Sequence, residues 1–220
     1  MKFFTDQKWW VYLLINIKKY RKMRNFKRYN EVIIDPGVYD LKNNPEYSWE
    51  GTINIYDFLE GLPDNHYFSF DYPSDMNLKF EDLFIKKSWQ NAINYSHCPQ
   101  YITTIQGKFN NSTNYIKWFH KYNELEPKFM GLGNMCQHRT LNKFLKEVIP
   151  YIFKNCIAKR IHIYGLCKRA IPYADKMAKK YKKNLSVDQE KWQFFKTSTL
   201  RSMDLNLYLN DLIKKGVEIE

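Results

Sequence analysis

Six short apolar runs in this chain each stop at a residue that can do chemistry, or at a glycine. Val32-Ile33-Ile34 stops at Asp35, Tyr67-Phe68-Ser69-Phe70 at Asp71, Tyr101-Ile102-Thr103-Thr104-Ile105 at Gln106, and Leu185-Ser186-Val187 at Asp188. Between them, Phe129-Met130-Gly131-Leu132 stops at Gly133 and Ile161-His162-Ile163-Tyr164 at Gly165. Runs of this length and composition read as strands. An open doubly wound sheet binds its ligand at one switch point and would scatter so many polar strand ends. A closed barrel of βα units brings all of them to one mouth. The expected fold is therefore an α/β (β/α)8-type TIM barrel without a zinc-binding subdomain. The 220 residues form one expected domain, 1–220, tight for a fold that usually takes about 250, so an irregular or missing unit is expected.

The pattern between the runs supports the alternation. Strands are expected at 1–5, 31–35, 67–71, 101–105, 129–132, 160–164 and 184–188. Helices are expected at 8–28, 53–60, 78–95, 112–124, 139–155, 168–182 and 203–215. The helix at 139–155 is the clearest, with Leu141, Phe144, Leu145, Val148, Ile149 and Ile152 at helical spacing. The helix at 8–28 would carry the basic cluster Lys18, Lys19, Arg21, Lys22, Arg24, Lys27 and Arg28.

Charge narrows the partner. The chain has 35 Lys and Arg against 23 Asp and Glu, a formal net charge of +12. That excess favours a polyanion, most simply nucleic acid, over a charge kept only for solubility. The four cysteines, Cys98, Cys136, Cys156 and Cys167, form no CxxC pair. Their spacing suits neither zinc nor a disulfide framework, and they read as reduced thiols in a cytoplasmic protein. No apolar run reaches the roughly 18 residues of a membrane helix, and no secretory signal is evident. Abundant Lys, Asn, Ile and Tyr fit an AT-rich coding genome, such as that of a bacteriophage or a low-GC bacterium.

Taken in order, from about Val32 to Trp192, these segments resemble the tRNA-guanine transglycosylase superfamily. They most resemble its DNA-acting branch, the 7-deazaguanine DNA transglycosylases. The residues that carry the resemblance are Asp35-Pro36-Gly37, Phe70-Asp71, Gln106-Gly107, Gly131-Leu132-Gly133, the stretch from Gly133 through Cys136 to Arg139, His162-Ile163-Tyr164-Gly165, and Val187-Asp188 with Trp192 shortly after. The chain departs from the family twice. Pro36 stands where Ser is usual, which removes a hydroxyl and a backbone donor. The Cys and His cluster that holds zinc in the tRNA enzymes has no counterpart.

The resemblance implies exchange of guanine in DNA for a 7-deazaguanine base such as 7-cyano-7-deazaguanine, without cofactor or metal. tRNA is the alternative substrate. Asp188 would be the nucleophile and Asp35 the acid/base group of a double displacement through a covalent sugar intermediate. Asp71 would accept from the N1–H and amine of the base. Gln106 and the Gly131-Leu132-Gly133 segment would donate to its O6, with Gly107 beside them in the substrate-binding set. Tyr39, Tyr72, Met130 and Tyr164 stand near the strand ends that would sandwich the base. Lys168, Arg169 and Arg139 would meet phosphates, and the target base would be flipped or single-stranded. Plainer readings stand beside each assignment. Asp188 suits a helix cap, Asp35 a turn before Pro-Gly, and the lysines solvated faces. A barrel that binds nucleic acid without turnover, and an N-glycosylase that releases a base to water, are the remaining alternatives.

Overall fold

The computed structural model describes residues 1–4, 12–37, 54–188 and 198–220. Eight parallel strands form a nearly closed barrel: β1 Lys2–Phe4, β2 Tyr12–Asn16, β3 Glu31–Asp35, β4 His66–Ser69, β5 Tyr101–Ile105, β6 Phe129–Leu132, β7 Arg160–Ile163 and β8 Asn184–Asp188. Their order around the sheet is β1-β8-β7-β6-β5-β4-β3-β2. The two ends of that order, β1 and β2, lie against each other. Phe4 and Tyr12 meet across this seam with ring centroids 5.5 Å apart. The helices α1 Ile17–Tyr20, α2 Ile55–Glu60, α3 Glu81–Tyr95, α4 Ser112–Asn123, α5 Lys143–Asn155, α6 Ile171–Lys180 and α7 Ser198–Lys214 alternate with the strands. This is an irregular (β/α)8 barrel. Among the described residues, no helix is long and apolar enough to cross a membrane.

Four strands, at 31–35, 101–105, 129–132 and 184–188, have the boundaries expected from sequence. The helix expected at 8–28 does not form as such. Residues 12–16 are strand β2, paired in parallel with β3 from Tyr12 opposite Glu31 to Asn16 opposite Asp35. A continuous Tyr-Leu-Leu-Ile run has no period of its own, and burial between β3 and the seam decides it. Asn16 then caps only a single helical turn, its side chain accepting from the Lys18 N–H at 2.8 Å. β2 is the strand missing from the sequence reading, and it completes the eight. Four helices start later than expected, and two of them, α5 and α6, bear on the site. Asn142 caps α5 by accepting from the Leu145 N–H at 3.0 Å, and α6 begins only at Ile171. Arg139, Lys168 and Arg169 therefore sit in loops at the carboxyl ends of the strands.

Side-chain alternation separates two environments. Residues such as Ile34, Phe68, Ile105, Met130, Ile161 and Val187 pack outward under the helices. Phe4, Tyr12, Ile33, Ile102 and Phe129 form a separate cluster in the barrel, joined by Leu14, Tyr67 and Tyr164. The face α5 turns to the barrel, Phe144, Leu145, Val148, Ile149, Ile152 and Phe153, is buried throughout. At about 1.5–3 kcal/mol per buried side chain, that face outweighs the helix's own propensity.

Candidate active site

The carboxyl ends of the strands enclose a cavity of about 970 Å³, near the upper end of the roughly 300–1,000 Å³ of small-molecule sites. Asp35 from β3, Asp71 from just beyond β4 and Asp188 from β8 all line it, with Gln106, Gly133, Arg139, Lys168 and Arg169. Residues far apart in the chain thus share one chamber. Gly107, Gly131 and Leu132 do not reach the wall. Gly131 lies deeper in the barrel, where a Cβ would collide with Thr104 Oγ1 and stand 3.0 Å from the Tyr164 ring. Leu132 is buried in the core under the helices. Gly107 lets α4 approach β5, since a Cβ there would lie 2.9 Å from Tyr115 Cα. Of the described candidates for sandwiching a base, Tyr164 lines the cavity, while Tyr72 and Met130 are core residues. Tyr39 and Trp192 lie outside the described residues.

Asp188 is held from one side only. His162 Nε2 donates to its Oδ1 at 2.9 Å, and the Gly165 N–H reaches the same oxygen at 3.1 Å. Gly165 adopts φ 63°, the left-handed region that favours glycine. The Asp188 side chain makes no other hydrogen bond within the described residues, so Oδ2 is left open. His162 Nδ1 lies 3.0 Å from Ser186 Oγ. Ser, His and Asp form an array in hydrolases too, but there the serine meets the substrate. Here the order is inverted: Asp188 lines the cavity, while His162 and Ser186 are buried below it.

Asp71 is held from both sides. Ser69 Oγ donates to Oδ1 at 2.6 Å, and Gln106 Nε2 donates to Oδ2 at 2.6 Å. The Gln106 amide oxygen accepts from the Ser74 N–H at 3.2 Å. Gln106 therefore orients Asp71 and has at most one N–H left for a ligand. The Gly133 N–H is spent on the Ile105 carbonyl at 3.1 Å, so it is not a donor to the cavity. Gly133 serves by being small, since a Cβ would fall on the Gln106 amide. Burial raises the Asp71 carboxyl above its ordinary range, against the hydrogen bonds of Ser69 and Gln106. Asp35 Oδ1 accepts from the Gly37 N–H at 2.5 Å, the turn geometry expected of an Asp before Pro-Gly, yet Asp35 still lines the cavity.

A fourth carboxylate, Asp75, also lines the cavity and was not singled out in the sequence. It sits in the 3₁₀ turn Ser74–Met76, and Cys136 Sγ donates to its Oδ2 at 3.4 Å. Among the described residues its Oδ1 is buried without a partner, as are Asn134 Oδ1 and His138 Nε2 on the same wall. Each such atom costs about 1–3 kcal/mol, so this wall gives up stability for polar surface. Burial pushes the Asp75 carboxyl above 3.8. The folded protein keeps that proton to higher pH than the unfolded chain, so the group weakens the fold as pH rises through this window. Asp75→Asn is expected to raise the melting temperature at neutral pH and to leave it unchanged below the ordinary carboxylate range. Calorimetric scans at both pH values check this, and a lower neutral-pH melting temperature would contradict it.

The basic residues at the mouth are unequal. Lys168 Nζ pairs with Asp211 at 2.8 Å and lies 4.5 Å from the Tyr208 ring centroid. Lys215 pairs with the same carboxylate at 2.9 Å, and together they hold Asp211 down to about 2. Lys168 thus fastens α7 to the mouth. Arg139 and Arg169 are exposed and make no ion pair among the described residues.

No family model matches this chain, and no curated protein matches it. Fold and site together define a (β/α)8 barrel with a carboxylate-lined chamber where barrel enzymes hold their active sites.

Proposed function

We propose that this protein exchanges guanine in a polynucleotide, DNA before tRNA, for a 7-deazaguanine base, as the transglycosylases that its sequence resembles do. The observation that carries the reading is the meeting of Asp35, Asp71 and Asp188 around one chamber wide enough for a base. In the first displacement, the open oxygen of Asp188 bonds to the sugar C1′ and the C1′–N9 bond breaks. The electron pair leaves with guanine, which takes a proton from a carboxyl of the chamber. In the second, N9 of the incoming base bonds to C1′, its proton passes to that carboxylate, and Asp188 is released. Asp35 is the acid/base group by resemblance. Asp71, its orientation set by Ser69 and Gln106, offers its remaining lone pairs to the N–H edge of guanine. Arg139 and Arg169 meet the phosphates around a flipped nucleotide.

The test is nucleoside mass spectrometry of DNA and tRNA incubated with the protein and 7-cyano-7-deazaguanine. DNA is expected to gain the deazaguanine nucleoside and to release guanine in equal amount. Incorporation only into tRNA would move the substrate to RNA. Guanine release with abasic sites would make the protein an N-glycosylase. No change in either polymer, with either this base or labelled guanine, would remove the reading.

A further inference from the structure

His162 lies outside the chamber, yet it is the side chain that fixes Asp188. The ring is fully buried. It packs edge-on against Phe4, with centroids 5.6 Å apart, and against Tyr164 at 4.4 Å. His162 and Ser186 face each other in register on β7 and β8, and Asp188 follows two residues after Ser186 on the same face. A carboxylate can only accept, so the Nε2 that meets Asp188 Oδ1 at 2.9 Å carries a proton. Ser186 Oγ, 3.0 Å from Nδ1, anchors the far side of the ring. A buried imidazole tied at both nitrogens and wedged between two aromatic rings cannot swing. The carboxylate it holds has one oxygen engaged and the other turned to the chamber.

We propose that His162, anchored by Ser186, is a positioning residue that presents the free oxygen of Asp188 to the sugar carbon. The proposal rests on the transglycosylase reading and deepens it. When the ester to C1′ forms through Oδ2, Oδ1 becomes its carbonyl oxygen and keeps the His162 and Gly165 donors. The hydrogen bonds that aim the nucleophile therefore also hold the intermediate still for the second displacement. Misplacing a reacting atom by about 1 Å costs on the order of a hundredfold in rate.

Three variants of the full chain test this. His162→Phe keeps a ring but has no donor. His162→Gln places an amide N–H near the position of Nε2. Ser186→Ala frees the ring and removes little volume. Exchange of labelled guanine into an oligodeoxynucleotide is measured, with thermal melting as a check on folding. His162→Phe is expected to lose about a hundredfold in kcat with KM for DNA unchanged. His162→Gln is expected to recover most of that loss, and Ser186→Ala to fall between them. Independently of activity, ¹⁵N NMR of histidine-labelled protein should show a protonated, hydrogen-bonded Nε2 at His162, assigned by its loss in His162→Gln. Exchange by His162→Phe at the rate of the unmodified protein would overturn the proposal, and so would a His162 protonated only at Nδ1. Absence of exchange in the unmodified protein, with the Nε2 signature intact, would overturn the transglycosylase reading and this proposal with it.

Discussion

Asp188→Asn is expected to abolish base exchange, by more than about 10³-fold, while polynucleotide binding persists. The substitution keeps an oxygen where His162 Nε2 and the Gly165 N–H need an acceptor, at 2.9 and 3.1 Å. What it removes is the anionic oxygen to which the proposed attack is assigned. Neither Asp71 nor Asp35 can stand in easily. Both oxygens of Asp71 are committed, to Ser69 and Gln106, and Oδ1 of Asp35 is tied to Gly37. Binding should survive because the exposed arginines at the mouth, Arg139 and Arg169, are untouched. Asp188→Ala is the harsher comparison. It strands the buried His162 donor at a cost of about 1–3 kcal/mol and leaves the half-buried Gly165 N–H to solvent, so it should lose stability as well as activity. A protein–DNA species that survives denaturing electrophoresis in the unmodified protein and disappears in Asp188→Asn would identify the covalent step. Exchange at an undiminished rate in Asp188→Asn would remove Asp188 as nucleophile.

Much of this site can be seen in the sequence because a parallel barrel turns chain order into spatial convergence. Asp35, Gln106 and Asp188 sit at the ends of apolar runs, and in such a barrel those ends meet. What escaped the sequence reading escaped for specific reasons. Tyr12-Leu13-Leu14-Ile15 has neither period two nor period 3.6, so only its pairing with β3 shows that it is a strand. Asp75 follows Asp71 by four residues in a 3₁₀ turn, a setting that looks like a helix approach. His162 and Ser186 did leave a signal: polar residues at inward positions of otherwise apolar strands, with Ser186 sharing the face of Asp188. The tie between Lys168 and Asp211 left none. It joins a mouth loop to a helix more than forty residues later, and charge alone does not tell a paired lysine from a free one. The glycines mislead in the other direction. Gly131 and Gly107 read as places where a ligand meets the backbone, but Thr104, Tyr164 and Tyr115 occupy the space that their missing side chains leave.

The far end of the barrel should respond to mutation in the opposite way. Arg160→Met is expected to destabilise the fold by about 3 kcal/mol and to leave the chemistry at the mouth intact. Arg160 opens β7 and Glu31 opens β3, so both lie at the amino ends of the strands. The guanidinium bonds to Glu31 at 2.8 Å and to the Tyr67 hydroxyl at 2.6 Å. It is stacked 4.4 Å from the Tyr67 ring centroid and 4.3 Å from that of Phe129. Met fills part of that slot but leaves Glu31, only 12% exposed, with Lys2 as its remaining partner at 2.5 Å. Breaking a fully buried pair typically costs about 3–5 kcal/mol, and the partial exposure of Arg160 together with the surviving lysine places this case at the lower end. For a chain of this size, about 3 kcal/mol lowers the melting temperature by roughly 6–12 °C. Adding Glu31→Gln removes the stranded charge and should return part of that loss, a coupling that a double-mutant cycle measures directly. Unfolding by urea and by heat should agree on the deficit. The melted fraction at assay temperature should account for any drop in exchange, because a barrel's amino-terminal face supports stability while its carboxyl-terminal face carries the site. An unchanged melting temperature, or a loss of exchange in fully folded Arg160→Met protein, would mean that the two ends of this barrel are not separable in that way.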